Sequence, residues 1–79
     1  MIYFNGNKLR QKMKGSGMKM NFIAEQIGLH RVTLAYYCME KIIPGKEKLK
    51  DIAKLCRCKL GDFYDTKEEA EAREHQNNS

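Results

Sequence analysis

Long apolar runs and paired cysteines are both missing from this chain, and each absence excludes a class of protein. No apolar segment approaches the roughly 18 residues that a membrane-spanning helix needs. Three cysteines, an odd number, do not form a disulfide framework, so free thiols in a reducing compartment are expected. The first residues also lack the basic start and apolar stretch of a secretory signal. We therefore expect a cytoplasmic protein without a membrane span.

Signatures of catalysis and of metal binding are missing as well. The chain has no glycine-rich phosphate loop, no H-E-x-x-H motif and no nucleophile elbow, and 79 residues leave little room for a concave pocket. Cys56 and Cys58 stand closer together than the C-x2–4-C pairs of structural zinc sites, and no second pair follows. We expect neither an enzyme nor a bound metal or other cofactor.

Charge is distributed unevenly along the chain. Residues 1–64 carry 13 Lys/Arg and 5 Asp/Glu, a formal net charge of +8, whereas residues 65–79 carry 2 and 5, a net charge of −3. A basic domain fits a polyanionic partner, because neutralising phosphates releases condensed counterions. Many basic domains are merely soluble, so charge alone does not establish nucleic-acid binding.

Apolar residues recur at helical spacing, and one proline and six glycines separate the segments. Pairs such as Leu9 and Met13 put two apolar side chains on one face of a helix. The pattern predicts helices over residues 7–14, 19–26, 30–39 and 46–56, with a short fifth helix over 60–64. Residues 67–79 favour a helix locally but have no apolar face. The sequence thus predicts an all-α, compact five-helix domain over residues 1–64, and a short, acidic, flexible tail over residues 65–79.

Residues 20–39 have the pattern of a helix-turn-helix. Ala24 is a small residue where two helices would cross, and Gly28 can adopt the positive φ that turns the chain four residues later. Ile23 and Ile27 would face inward from the first helix, and Leu34 and Tyr37 from the second. Such a motif can place its second helix in the major groove of DNA.

On these residues the chain resembles the Cro and phage-repressor type of helix-turn-helix domain, also called XRE-like, over about residues 7–64. The matching positions are Leu9, Gly17, Ile23-Ala24, Ile27-Gly28-Leu29, Thr33-Leu34, Pro44, Leu49, Ile52-Ala53, Leu60 and Phe63. The resemblance implies a five-helix bundle that binds operator DNA as a two-fold homodimer. It also implies a bacterial or phage regulator, a repressor, that acts in the cytoplasm at the nucleoid.

Three places depart from the family pattern. Lys19 and Met20 stand where the family usually has Ser or Thr followed by a phosphate-binding Gln. Positions that hold an Arg–Glu pair between helices 1 and 3 in many members carry Met13 and Cys38, an apolar pair. Met39-Glu40 replaces the usual Asn-Gly after helix 3. These changes affect the expected phosphate contacts more than the fold.

The second helix of the motif carries the residues that would read bases. Arg31 leads them, because its guanidinium can pair with O6 and N7 of guanine. Val32 and Ala35 can meet a thymine methyl group, and Thr33 can contact a base or a phosphate. Tyr36, the last of this set, can stack on a sugar or bond to a phosphate through its hydroxyl. For each of these side chains, a solvated surface position or a helix-packing role remains the alternative.

Candidates for phosphate contacts flank the motif, where the DNA backbone would pass and where helix amino termini add partial positive charge. They are Lys19, Asn21, His30, Lys41 and Lys46. The alternative for each lysine is a solvated surface position, and for His30 it is a cap on the first turn of helix 3. Phe22 should point partly outward, either as a partner contact or folded back over Met18, and the second is favoured.

Two functions from different classes fit these features. The first is a sequence-specific, double-stranded DNA-binding regulator. The second is a protein-interaction module on the same fold, such as an antitoxin, an antirepressor or an adaptor, with a protein partner. The acidic tail could also shield the basic face until a partner displaces it. Affinity for DNA falls steeply with salt, whereas an apolar protein interface does not, so salt dependence separates the two functions.

Overall fold

The computed structural model describes the backbone of residues 3–77 and the side chains of residues 3–73. Its α-helices are α1 (Gly6–Gly15), α2 (Met20–Gln26), α3 (Arg31–Cys38), α4 (Lys46–Cys56) and α5 (Lys67–Asn77), with a 3₁₀ helix at Leu60–Phe63. Between residues 3 and 77 the only β pairing is one isolated antiparallel bridge between Phe4 and Tyr64. The all-α, five-helix prediction is therefore confirmed, and α1 to α4 begin and end within one residue of their predicted bounds.

The core collects apolar side chains from the first four helices and from the segments around them. The largest fully buried side chains are Phe4, Leu9, Ile23, Leu34, Leu49, Ile52 and Phe63. Ala24 is buried as well, which agrees with a small residue where α2 meets its neighbours. Burying apolar area of this kind is the main favourable term in folding a domain of this size.

At three helix ends a residue in the left-handed conformation is followed by a residue that bonds back into the helix. The residues are Gly28 after α2 (φ 71°), Glu40 after α3 (φ 59°) and Arg57 after α4 (φ 57°). The next residue along donates its N–H back into the helix, with N–O distances of 2.8 Å (Leu29 to Ala24), 2.9 Å (Lys41 to Tyr36) and 2.9 Å (Cys58 to Ala53). These are Schellman-type ends, for which glycine is the unstrained residue. Glu40 and Arg57 therefore hold a conformation that strains their backbones.

The start of α1 packs closely on the end of α3. Gly6 is buried, and a Cβ atom there would lie 2.8 Å from the carbonyl oxygen of Tyr37 and would also clash with that of Cys38. The Gly6 N–H donates to Oε2 of Glu40 at 3.0 Å, just beyond α3. Asn5 caps α1, since its side chain accepts from the N–H groups of residues 7 and 8. One end of α3 is thus fixed against the amino terminus of the domain.

The segment after Tyr64 differs from the flexible tail that the sequence predicts. Residues Lys67–Asn77 form α5, and Ala70 is buried. Arg73 forms ion pairs with Asp65 at 2.8 Å and with Glu40 at 2.6 Å. Apolar periodicity does not predict this arrangement, because α5 docks through one small apolar residue and a set of ion pairs rather than through an apolar stripe.

Candidate nucleic-acid interface

Helix α3 presents one face to the core and the opposite face to solvent. Leu34 and Tyr37 are buried and hold the helix in place. The solvent face carries all five residues predicted to read bases, which are Arg31, Val32, Thr33, Ala35 and Tyr36. Three of them are exposed, and Thr33 and Ala35 are half-buried. The structure therefore brings the predicted set together on one surface.

The turn before α3 sets the position of that surface. Gly28 closes α2 with its positive φ, as the sequence predicts, and Leu29 is partly buried against the core. His30 is the N-cap of α3, and its Nδ1 accepts the N–H of Val32 at 3.1 Å. Since Nδ1 is the acceptor, the proton of the neutral ring is on Nε2, which stays a donor for an outside acceptor. The capping role of His30 is thus observed.

Arg31 lies in the first turn of α3 and is exposed. The ion pairs among residues 3–73 use Lys8 and Arg73 as their cations, and Arg31 takes part in none of them. An arginine that is not committed to a carboxylate of its own chain keeps all five N–H donors for an external partner.

Tyr36 and Lys41 are associated across the end of α3. The Lys41 Nζ lies 5.7 Å from the centroid of the Tyr36 ring, within the range of a cation–π interaction. The Lys41 N–H also donates to the Tyr36 carbonyl oxygen as part of the helix end. One ring face of Tyr36 is therefore next to an ammonium group at the edge of the candidate surface.

The other candidates for phosphate contacts, Lys19, Asn21 and Lys46, are exposed near the starts of α2 and α4. Lys19 is the N-cap of α2 and Gly45 that of α4, and neither makes a side-chain cap. Met20, in the place of the usual Gln, is half-buried and packs against the core. Met20 therefore has a packing role at the start of α2.

The helix-turn-helix family model HTH_3 matches residues 9–63, which is more than half of the chain. The chain belongs to this helix-turn-helix family. The family is of the Cro/C1 and XRE-like type, so the resemblance of the sequence is confirmed. Its members are DNA-binding regulatory domains, and the protein is accordingly a DNA-binding regulator of this type. Neither the curated proteins nor the solved structures gave a match.

One residue that braces the helix-turn-helix was not predicted. The Lys48 Nζ donates to the carbonyl oxygen of Ile27 at 2.9 Å, which ties α4 to the end of α2 beside the turn. A cation at a helix carboxy terminus also interacts favourably with the helix dipole. One feature of the sequence could have indicated this contact: Lys48 stands four residues before the buried Ile52, on the inward side of α4.

Several apolar side chains near the helix-turn-helix are exposed. Phe22 is 46% exposed and therefore points partly outward, as the sequence predicts. Met39, Ile42 and Ile43, in the loop after α3, are 54%, 43% and 48% exposed. Neighbouring exposed apolar residues of this kind are a feature of surfaces that meet a partner.

The cysteines and the remaining surface show no second site of known chemistry within the described residues. Burial raises the pKa of the thiols of Cys38, Cys56 and Cys58, which favours the protonated thiol over the thiolate. Among the residues searched, no group of three His, Cys, Asp or Glu side chains could hold a metal ion. In the same part of the chain, no helix is long and apolar enough to cross a membrane.

Proposed function

We propose that the protein is a sequence-specific transcriptional regulator of the phage-repressor kind, a repressor that binds operator DNA with α3 in the major groove. The observation that carries the proposal is the orientation of α3. Its buried Leu34 and Tyr37 leave the base-reading candidates on the solvent side of a helix that matches the family pattern. In helix-turn-helix domains the second helix is the one that enters the groove.

Each residue on α3 has a role in this proposal. Arg31 pairs with a guanine, because its donors are not engaged within the described chain and its fork matches O6 and N7. Val32 and Ala35 contact thymine methyl groups. Thr33 and Tyr36 bond to base edges or to neighbouring phosphates through their hydroxyls.

The flanking residues hold the DNA backbone and fix the register of α3. The exposed Lys19, Lys41 and Lys46 provide charge, and Asn21 and the Nε2 of His30 provide hydrogen bonds. Helix α4 supports this role, since its first N–H groups receive no side-chain cap and can face an anion.

The functional unit in this proposal is a homodimer on a two-fold operator, and its place is the bacterial or phage nucleoid in the cytoplasm. Two copies of α3 would then occupy half-sites about one helical turn apart. A duplex with two half-sites should bind far more tightly than one with a single half-site. Moving the half-sites by half a helical turn should remove that gain.

The proposal is tested by the salt dependence of DNA affinity. We expect fluorescence anisotropy with a labelled mixed-sequence duplex to show binding that weakens steeply with salt, with a slope that reports the number of neutralised phosphates. Selection from a random duplex library should then enrich a common sequence. Absence of binding at low salt would refute the proposal.

A second candidate function, a protein-interaction module, is favoured by the exposed apolar residues Phe22, Met39, Ile42 and Ile43. An antitoxin, antirepressor or adaptor would use them as the centre of an interface, where apolar side chains are enriched. This function would be favoured over DNA reading if the protein bound a protein partner at high salt, and if Ile42→Asp abolished that binding while Arg31→Ala did not.

A further inference from the structure

The carboxy-terminal helix contacts the end of the recognition helix through one charged pair. Nη2 of Arg73 donates to both carboxylate oxygens of Glu40, at 2.8 Å and 2.6 Å. Glu40 is two residues beyond the end of α3 and is held in the left-handed conformation. A charge-assisted contact to such a residue acts directly on the path of the chain where α3 ends.

Arg73 also contacts Asp65, just before the start of α5, and Phe4, near the amino terminus of the domain. Nη1 of Arg73 donates to Asp65 at 2.8 Å and to the carbonyl oxygen of Phe4 at 3.3 Å. The Asp65 side chain is only 1% exposed, and it also accepts from Asn5 Nδ2 at 2.9 Å and pairs with Lys8 at 3.2 Å. Nη1 of the guanidinium is therefore held by Asp65 and the Phe4 carbonyl, while Nη2 binds Glu40.

Glu40 completes the connection from α5 to α1. Its Oε2 accepts the Gly6 N–H at 3.0 Å, at the point where Gly6 lies against the last carbonyl groups of α3. One carboxylate thus receives bonds from the first residue of α1 and from a residue of α5. The end of α3 is held by both of these helices.

We propose that Arg73 is a positioning residue for DNA recognition, which acts through Glu40 to fix the carboxy-terminal end of the recognition helix α3. This inference rests on the proposed function. Residues of α5 would not contact DNA in this role. Tyr36 and Lys41, which adjoin Glu40 and are candidates for DNA contacts, would depend on it for their placement.

The direction in which Glu40→Gln changes the affinity for DNA distinguishes a positioning role from a simple effect of charge. Glu40→Gln removes a negative charge, so electrostatics alone would strengthen binding to DNA. Positioning predicts the opposite result. We expect Glu40→Gln and Arg73→Gln each to weaken binding to a duplex selected from a random library by roughly 2- to 30-fold. The double variant should bind about as weakly as either single variant, because the two residues act as one pair.

Two further variants serve as controls. Lys67→Gln makes the same charge change as Arg73→Gln in the same helix, at an exposed position, and should leave affinity near that of the wild type. Arg73→Lys keeps the charge but cannot bridge Asp65 and Glu40 with a planar fork, so it should restore affinity in part. All affinities are compared at temperatures where each variant is fully folded. If Arg73→Gln folds poorly, the series is repeated in an Arg57→Gly background, for which we expect greater stability.

Amide hydrogen exchange on the free protein tests the positioning without DNA. We expect faster exchange at Gly6, Met39 and Lys41 in both Arg73→Gln and Glu40→Gln, but not in Lys67→Gln. Unchanged exchange at these amides, or a Glu40→Gln variant that binds the duplex as tightly as the wild type or more so, would overturn the inference. If the library selects no duplex, the proposed function fails with the DNA part of the inference, and exchange alone decides whether Arg73 positions α3.

Discussion

Gly6 lies so close to the carbonyl group of Cys38 that no side chain fits between α1 and α3. The atoms that a side chain at Gly6 would meet are backbone atoms of α3, so they cannot move away unless the helix shifts. Because α3 carries the candidate base-reading residues, the space at Gly6 helps to determine where they stand.

Gly6→Ala should therefore destabilise the fold. The new methyl group would force α1 away from α3, and overpacking of this kind costs about 1–3 kcal/mol. Gly15→Ala is the matched control, since a Cβ there meets nothing within 4 Å and alanine favours the same helix. Chemical denaturation should show a lower free energy of unfolding for Gly6→Ala and an equal or higher one for Gly15→Ala. Equal stability of Gly6→Ala and wild type would contradict the close approach.

Arg57→Gly should stabilise the protein. Arg57 ends α4 in the left-handed conformation, which costs a residue with a Cβ roughly 1 kcal/mol relative to glycine. In a domain of this size, 1 kcal/mol raises the melting temperature by about 4–8 °C. The comparison is Glu40→Gly, which relieves similar strain but removes the partner of Arg73 and Gly6. Thermal melts should rank Arg57→Gly above the wild type and Glu40→Gly below Arg57→Gly.

Asp65 should make stability depend on acid pH. Burial raises the pKa of this carboxyl, but hydrogen bonds from Arg73, Asn5 and Lys8 outweigh burial and lower the net pKa. A lowered pKa in the folded state adds stability above the unfolded pKa of about 3.9, and that stability is lost as pH falls through the folded value. Asp65→Asn should lose about 1–3 kcal/mol at pH 7, because it removes the charge of a buried carboxylate that accepts from Arg73 and Lys8, whose own side chains stay about one-third exposed.

The measurement is the free energy of unfolding of wild type and Asp65→Asn at neutral pH and at pH values below the unfolded pKa. The difference in free energy of unfolding between wild type and Asp65→Asn should become smaller as the pH falls. Glu69 also has a lowered pKa, through the Thr66 backbone N–H and then Lys8, so Glu69→Gln is the control for its share. A difference in free energy of unfolding that stays constant with pH would show that Asp65 stabilises the fold through packing and not through its charge.

Truncation after Tyr64 should destabilise the domain. It removes the buried Asp65 and Ala70 together with Arg73, and leaves Glu40 and Lys8 without these partners. We expect a loss of about 1–3 kcal/mol, because the hydrogen bonds to charged groups at Asp65 and Arg73 are removed, and this loss is seen as an earlier midpoint in urea. Loss of DNA binding in this truncation would therefore not show a role of the acidic segment. Glu68→Gln/Glu71→Gln, which alters only exposed residues, is the sharper test of whether that segment shields the basic face.

The helices and the helix-turn-helix could be predicted from the sequence because their signals are local. Ile23 and Ile27 repeat at helical spacing, and Gly28 marks the turn that the structure places at φ 71°. The interface candidates followed from the same periodicity, since the face opposite Leu34 and Tyr37 must meet solvent.

The charged contacts could not be predicted in this way. Arg73 and Glu40 are 33 residues apart, and nothing in the sequence pairs a given arginine with a given glutamate at that distance. Lys48 likewise resembles a surface lysine until the end of α2 is in place beside it. The sequence indicates a local helix after residue 67, but not that it docks, because the docking of α5 depends on these long-range pairs rather than on an apolar face.

Whether Arg31 of α3 reads a base can be measured by comparing wild type with Arg31→Ala on two duplexes at one salt concentration. One duplex carries the sequence enriched by selection, and the other is of mixed sequence. We expect Arg31→Ala to lose roughly 5- to 150-fold in affinity for the selected duplex, the value of one bidentate base contact, and much less for the mixed one. Arg57→Gly, which removes an exposed arginine outside the candidate interface, should lose far less on the selected duplex. An equal loss of affinity on both duplexes, or no loss on either, would show that Arg31 does not read a base.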